Sequence, residues 1–123
     1  MLRCGVDIIE IKRIAKAVKS EHGKRFLKKI YTAFELEHFE NNIPELAARW
    51  AGKEAVSKML GLGLLPPSPL NWGEIEIIPD TNGKPRVYLY GNSQKRAEKL
   101  NIREIDISFS HTAELAIAFV VSH

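Results

Sequence analysis

The sequence predicts an α+β domain in which an antiparallel sheet packs against one long central helix. Three observations carry this expectation. The patterns run in the order strand, helices, hairpin, helix, hairpin along a 123-residue chain, a length that suits one domain spanning 1–123. The longest helical pattern, from Pro44 to about Leu60, is studded with Ala47, Ala48, Ala51 and Gly52, small residues that permit close packing on several sides. An Asn82-Gly83 pair separates two alternating segments, which is the signature of a tight hairpin.

Each element follows from its own residues. Residues 2–9 alternate loosely and end in Val6-Asp7-Ile8-Ile9, a strand. Ile11, Ile14, Ala15 and Val18 take helical spacing, with Lys12, Arg13, Lys16 and Lys19 around the other faces. Gly23 interrupts, and Phe26, Leu27 and Ile30 suggest a further short turn or helix. Thr32-Ala33-Phe34-Glu35 is a capping box, so a short helix is expected from Ala33 to about Glu40. Pro44 opens the main helix, because a first-turn proline forfeits no hydrogen bond, and Gly61 stops it. The segment Gly61–Pro69 is a loop by its glycines and prolines. Residues 74–78 and 85–90 form the hairpin strands, and residues 92–100 an exposed helix. Ile105–Ser110 and Leu115–Val121 form a second strand pair, turned at His111–Glu114.

Composition narrows the class. Nothing approaches the ~20 apolar residues of a membrane span, and Asp7 breaks up the one short apolar stretch near the start, against a signal peptide. A lone cysteine cannot form an internal disulfide, so a cytoplasmic protein is expected, with Cys4 as a small buried hydrophobe in its strand. The net charge is only +3, but Lys12 to Lys29 holds eight cations against Glu21, a local +7 that leaves −4 for the rest. Such a block means an acidic partner or a solvated face.

Four places could carry chemistry. Asp7 is a carboxylate among Val6, Ile8 and Ile9, where it needs a cation, hydrogen bonds or exposure at the strand end. Glu54 and Lys58 are four apart on the long helix; as a surface pair they contribute a few tenths of a kcal/mol and need no function. His111 stands at a hairpin corner, where turn histidines are ordinary. The Gly61-Leu62-Gly63 loop could approach a phosphate through backbone N–H groups, although it matches neither a Walker loop nor a dinucleotide fingerprint. No Cys/His cluster suits zinc, and no Gly-x-Ser-x-Gly elbow suits an acyl hydrolase. Two carboxylates with nearby lysines suit Mg²⁺, which binds through one or two carboxylates plus substrate phosphates. Metal-assisted phosphoryl chemistry with an acidic partner is the reading these residues support.

The same residues resemble a known family, the bacterial holo-acyl-carrier-protein synthases of the 4'-phosphopantetheinyl transferase superfamily. Four ordered motifs carry the resemblance across nearly the whole chain: Gly5–Ile14, Arg49-Trp50-Ala51-Gly52-Lys53-Glu54-Ala55-Val56-Ser57-Lys58, Asn82-Gly83-Lys84-Pro85, and Ser108-Phe109-Ser110-His111-Thr112. One departure is Gly52, where the family often has alanine, a change expected to cost helix stability. The resemblance implies a phosphopantetheinyl-transferase-like fold. It also implies Mg²⁺-dependent transfer of phosphopantetheine from coenzyme A to a serine of acyl carrier protein, in support of fatty acid synthesis. Asp7 and Glu54 would hold the metal and Lys58 would neutralise phosphate. Arg49, Lys53, Ser57, Gly61, Gly63, Asn82, Gly83, Lys84, Pro85, Ser110, His111 and Thr112 would shape the coenzyme site. A homotrimer with active sites between subunits is implied as well. The acidic carrier protein would dock on Arg13, Lys16, Lys24, Arg25 and Lys28. The rival is a non-catalytic nucleic-acid-binding module that uses the basic block on phosphates; no nucleic-acid motif is present, and aromatic residues are scarce among the basic ones.

Overall fold

A computed structural model describes all residues 1–123. Strand β1 (Arg3–Glu10) leads directly into α1 (Ile11–Lys19), followed by α2 (Gly23–Ile30), α3 (Ala33–Phe39) and the long α4 (Ile43–Leu60). A 3-10 turn (Trp72–Glu74) precedes β2 (Ile75–Pro79) and β3 (Pro85–Leu89). Then come α5 (Gly91–Lys99), β4 (Ile105–His111) and β5 (Leu115–Ser122). The first strand pairs with the last, giving an antiparallel sheet in the order β1-β5-β4, while β2 and β3 form a hairpin of their own.

Local chemistry sets the ends of the helices. The α3 capping box is complete: Thr32 Oγ1 accepts from Glu35 N at 3.2 Å, and Glu35 Oε1 accepts from Thr32 N at 2.9 Å. Asn42 caps α4 by accepting from Glu45 N at 3.2 Å, with Pro44 in the first turn. Gly61 ends α4 at φ 78°, a left-handed conformation that glycine adopts without penalty. Two arginines answer the carbonyls left over there: Arg3 Nε donates to Met59 O at 2.8 Å and Arg96 Nε to Leu60 O at 2.9 Å.

Helix α4 is the centre of the core and is buried on nearly every side. Its small residues let the sheet approach closely. A side chain at Gly5 would put its Cβ 2.0 Å from the Ala55 carbonyl oxygen, so β1 lies directly on the α4 backbone. Gly52 serves the same purpose on another face, where a Cβ would stand 2.6 Å from Ile77 Cδ1. The glycine expected to weaken the helix therefore makes room for the hairpin and Phe109.

The pleat of β1 points Gly5, Asp7 and Ile9 toward α4, and Cys4, Val6 and Ile8 away from it. Cys4 is thus exposed, not buried, because its neighbour Gly5 takes the inward position. The outward face stays apolar: Val6 (53% exposed) lies opposite Phe119 (46%), and Ile8 (54%) opposite Ile117. No helix is long and apolar enough to cross a membrane.

Candidate active site

Asp7 and α4 meet because β1 rests on the helix. Lys58 Nζ donates to Asp7 Oδ1 at 3.0 Å and to Val6 O at 3.0 Å. The other oxygen, Asp7 Oδ2, is buried with no hydrogen-bond partner. Glu54, half-buried one turn before Lys58, has its pKa raised, first by burial and then by the Asp7 charge, with Lys58 pulling it back. The Glu54–Lys58 spacing therefore leads to a three-residue cluster and not to a simple surface pair: Lys58 reaches across to the strand.

This cluster fits a hard divalent cation. It holds two carboxylates against one lysine, and one carboxylate oxygen is left without a donor. No third His, Cys, Asp or Glu completes a cage. Mg²⁺ needs no such cage, since it takes one or two carboxylates and fills the rest with water and substrate phosphate.

A second group assembles on the far side of α4. Arg49, Gly83, Lys84 and Pro85 line one cavity of about 360 Å³ together with Glu45, Ile107, Ser108 and Phe109. Arg49 is only 4% exposed. Its guanidinium lies 3.9 Å over the Phe39 ring, pairs with Glu45, and donates from Nε to Ile77 O at 3.3 Å. Lys84 Nζ is 2.8 Å from Asp106 Oδ1. The β2–β3 turn is tied by Asp80 Oδ1, which accepts from Asn82 N (2.8 Å) and Lys84 N (3.0 Å). Those bonds, with help from Arg86, hold the Asp80 pKa below the usual carboxylate range.

The two groups sit at opposite ends of one row of the sheet. Asp7 pairs with Ala118, and Ala118 with Phe109, so roughly 10 Å of sheet separates them. Helix α4 packs on β1 and β5 between them. Ser110, His111 and Thr112 lie at the exposed end of β4, where Thr112 Oγ1 accepts from Glu114 N and Leu115 N and shapes the turn.

Three expectations need correction. Lys53 does not face a ligand site. It is fully buried, and its ammonium is saturated by Glu35 Oε1 (2.7 Å), Ile75 O (2.7 Å) and Trp72 O (3.0 Å). Burial pushes its pKa down and Glu35 pulls it back up. Ser57 is also fully buried, with its hydroxyl donated to Glu54 O at 2.7 Å. The N–H groups of the Gly61–Gly63 loop are not free for a phosphate. Gly61 N donates to Lys58 O, and Leu62 N and Gly63 N to Ser57 O, closing the end of α4. Glu35 was legible only as a cap; its other oxygen accepts from Ile77 N at 2.8 Å, so one carboxylate joins α3, α4 and β2. Nothing in the local sequence marks that second role.

A long helix lies on a three-stranded antiparallel sheet, with two carboxylates and a lysine where strand meets helix. Residues 3–120 match the 4'-phosphopantetheinyl transferase superfamily, and the chain belongs to that family. It is 47% identical to a holo-[acyl-carrier-protein] synthase of Herpetosiphon aurantiacus, covering 98% of each protein. It is also 47% identical to one of Dehalococcoides mccartyi, covering 99% of this chain and 98% of that one. Among solved structures it superposes on the Helicobacter pylori holo-[acyl-carrier-protein] synthase in complex with coenzyme A. That match has a TM-score of 0.85 at 32% identity, over 98% of this chain and 99% of that one. The Neisseria meningitidis holo-[acyl-carrier-protein] synthase gives 0.84 at 32% identity, over 98% and 97%.

Proposed function

We propose that this chain, acting as one domain, transfers phosphopantetheine from coenzyme A to a serine hydroxyl of acyl carrier protein, in the cytoplasm and in support of fatty acid synthesis. The observation that carries this is the Asp7–Glu54–Lys58 cluster with its one unpartnered carboxylate oxygen, within a fold shared with a coenzyme A-bound synthase. Asp7 and Glu54 are the residues that would hold Mg²⁺. When bound, that ion supplies charge neutralisation on the phosphoryl oxygens.

In the reaction the serine oxygen forms a bond to the β-phosphorus of coenzyme A. The bond from that phosphorus to the bridging oxygen breaks, and adenosine 3',5'-bisphosphate leaves. Lys58 stands beside Asp7 and is half-exposed, so its ammonium can turn to the phosphate that carries developing charge. The serine proton needs an acceptor within hydrogen-bond reach, and Asp7 and Glu54 are the two carboxylates the site offers.

The hairpin group completes the site from a neighbouring subunit of a homotrimer. Within one chain, Asp7 lies on β1, and Phe109, which lines the cavity with Arg49, Gly83, Lys84 and Pro85, lies two strands away on β4. The outward stripe of Val6, Ile8 and Phe119 is a large apolar face that a second copy can cover. Asn82 and His111 are both exposed and would contribute to the coenzyme site from its edge.

The basic helices suit the acidic carrier protein. Arg13, Lys16, Lys24, Arg25 and Lys28 are all exposed, and none is engaged in an ion pair. The opposite faces of α1 and α2 bury Ile14, Leu27 and Ile30, so the charges are held outward on a fixed scaffold. The family assignment gives the nucleic-acid reading no support. Release of adenosine 3',5'-bisphosphate from coenzyme A that requires both Mg²⁺ and an apo carrier protein tests the proposal; release that ignores the carrier protein contradicts it.

A further inference from the structure

Both cations that line the cavity on the hairpin side of α4 are already held by carboxylates of the same chain. Arg49 pairs with Glu45, one turn earlier on α4, and Lys84 with Asp106 at 2.8 Å. Glu45, Arg49 and Lys84 line the same cavity, while Asp106 meets Lys84 in an adjoining cavity that shares Ile107 and Ser108. In each pair the acid is the more exposed member: the Arg49 and Glu45 side chains are 4% and 36% exposed, those of Lys84 and Asp106 45% and 62%. Arg49 is also fixed without Glu45, by the Phe39 ring and the Ile77 carbonyl. In the first pair the carboxylate is therefore the movable partner; in the second both side chains reach water, and Asp106 Oδ1 also accepts from Ile107 N at 3.1 Å.

We infer that Glu45 and Asp106 are internal competitors for the anion positions on Arg49 and Lys84, and that they set the affinity of this cavity for phosphate. The inference rests on the coenzyme A reading and deepens it. A ligand phosphate must either displace these acids or sit beside their charge. A carboxylate brings one negative charge, whereas a phosphate monoester carries about −1.5 to −2 at neutral pH. The exchange therefore favours a multiply charged phosphate ligand and rejects singly charged anions. The free acids remain solvated after displacement, because both already reach water.

The test is calorimetric titration of the native full chain, Glu45→Gln, Asp106→Asn and Glu98→Gln with coenzyme A at low ionic strength. Glu98 is an exposed acid on α5 with no ion-pair partner, so its variant changes net charge alone. Glu45→Gln and Asp106→Asn each tighten binding by roughly three- to tenfold, the scale of a partly exposed charge interaction. Glu98→Gln leaves it unchanged. Weaker binding by Glu45→Gln would make that acid a positioning group for Arg49 and overturn the inference. Equal tightening by Glu98→Gln would overturn it too, as would native-like affinity in both cavity variants. Failure of the native chain to bind coenzyme A at all would overturn the coenzyme reading along with it.

Discussion

Lys58 Nζ lies 3.0 Å from Asp7 Oδ1 and joins residues 51 apart in the chain, yet Oδ2 of the same carboxylate is buried and unpartnered. Lysine pairs with one oxygen of the acid and leaves the other, buried, without a donor. Glu54 stands beside it, and its pKa is raised first by burial and second by the Asp7 charge.

That coupling can be read by titration. In the metal-free protein, Asp7→Asn removes one of the causes that raise the Glu54 pKa, so the value falls. Lys58→Met removes the cause that lowers it, so the value rises. Carboxyl-carbon NMR of Glu54 in the two variants checks both signs. Equal shifts, or none, would separate Glu54 from the cluster.

Stability should follow the same group. Glu54 binds its proton more tightly in the folded state than in the unfolded chain. Its contribution is therefore fully present below the unfolded value and is lost as pH rises through the raised folded value. At neutral pH the ionised side chain is a cost. Glu54→Gln should melt above the native protein at pH 7, with the gap narrowing as pH falls through the raised folded value and closed by about pH 4. A variant that melts lower at pH 7 would contradict this, since the acid would then be stabilising.

The buried pair Lys53–Glu35 predicts a large structural effect of another kind. Each side chain is fully buried, so Lys53→Met or Glu35→Gln alone strands or unbalances its partner. A loss of about 3–5 kcal/mol in denaturant unfolding is expected for each. A near-neutral single variant would mean that the partner charge escapes to solvent.

Close approach of β1 to α4 makes Gly5 irreplaceable. A methyl group there meets the backbone carbonyl of Ala55, and no side-chain rotation relieves the contact. Gly5→Ala should cost at least the ~1–3 kcal/mol typical of overpacking, and should move Asp7 away from Lys58. Unfolding midpoints measure the first effect and transfer rates the second.

Docking on the basic helices predicts a split between substrates. Reversing Arg13 and Arg25 to glutamate should raise KM for carrier protein far more than KM for coenzyme A, and the native preference should fade with added salt. Equal loss for both ligands, or a salt-insensitive rate, would place the carrier protein elsewhere.

Local signals made most elements legible. The Thr32–Glu35 box, the stop at Gly61 and the Asn82-Gly83 turn each act within a few residues, and each marks a real boundary. Long-range pairing was not legible. Nothing near Val6 states that β1 lies on α4 with Gly5 against the Ala55 carbonyl, and that packing decides that Cys4 faces outward and Asp7 inward. The polar run Lys53, Glu54, Ser57 and Lys58 looks like one surface in sequence. A helix turns about 100° per residue, so Lys53 goes to Glu35 in the core while Glu54 goes toward Asp7. The Asp7–Lys58 contact and the Arg49 cavity likewise depend on which strand lies beside α4, which no local pattern encodes.

The most direct test of the account is the mass of an apo carrier protein after incubation with coenzyme A, Mg²⁺ and the enzyme. The native chain should add one phosphopantetheine group per carrier protein. Folded Asp7→Ala and Glu54→Ala chains should fall by about 10²-fold or more in rate, the scale of losing one preorganised electrostatic contact. Native-like transfer by either folded variant, or no mass gain with the native chain, would contradict the assignment of these carboxylates to the reacting phosphate.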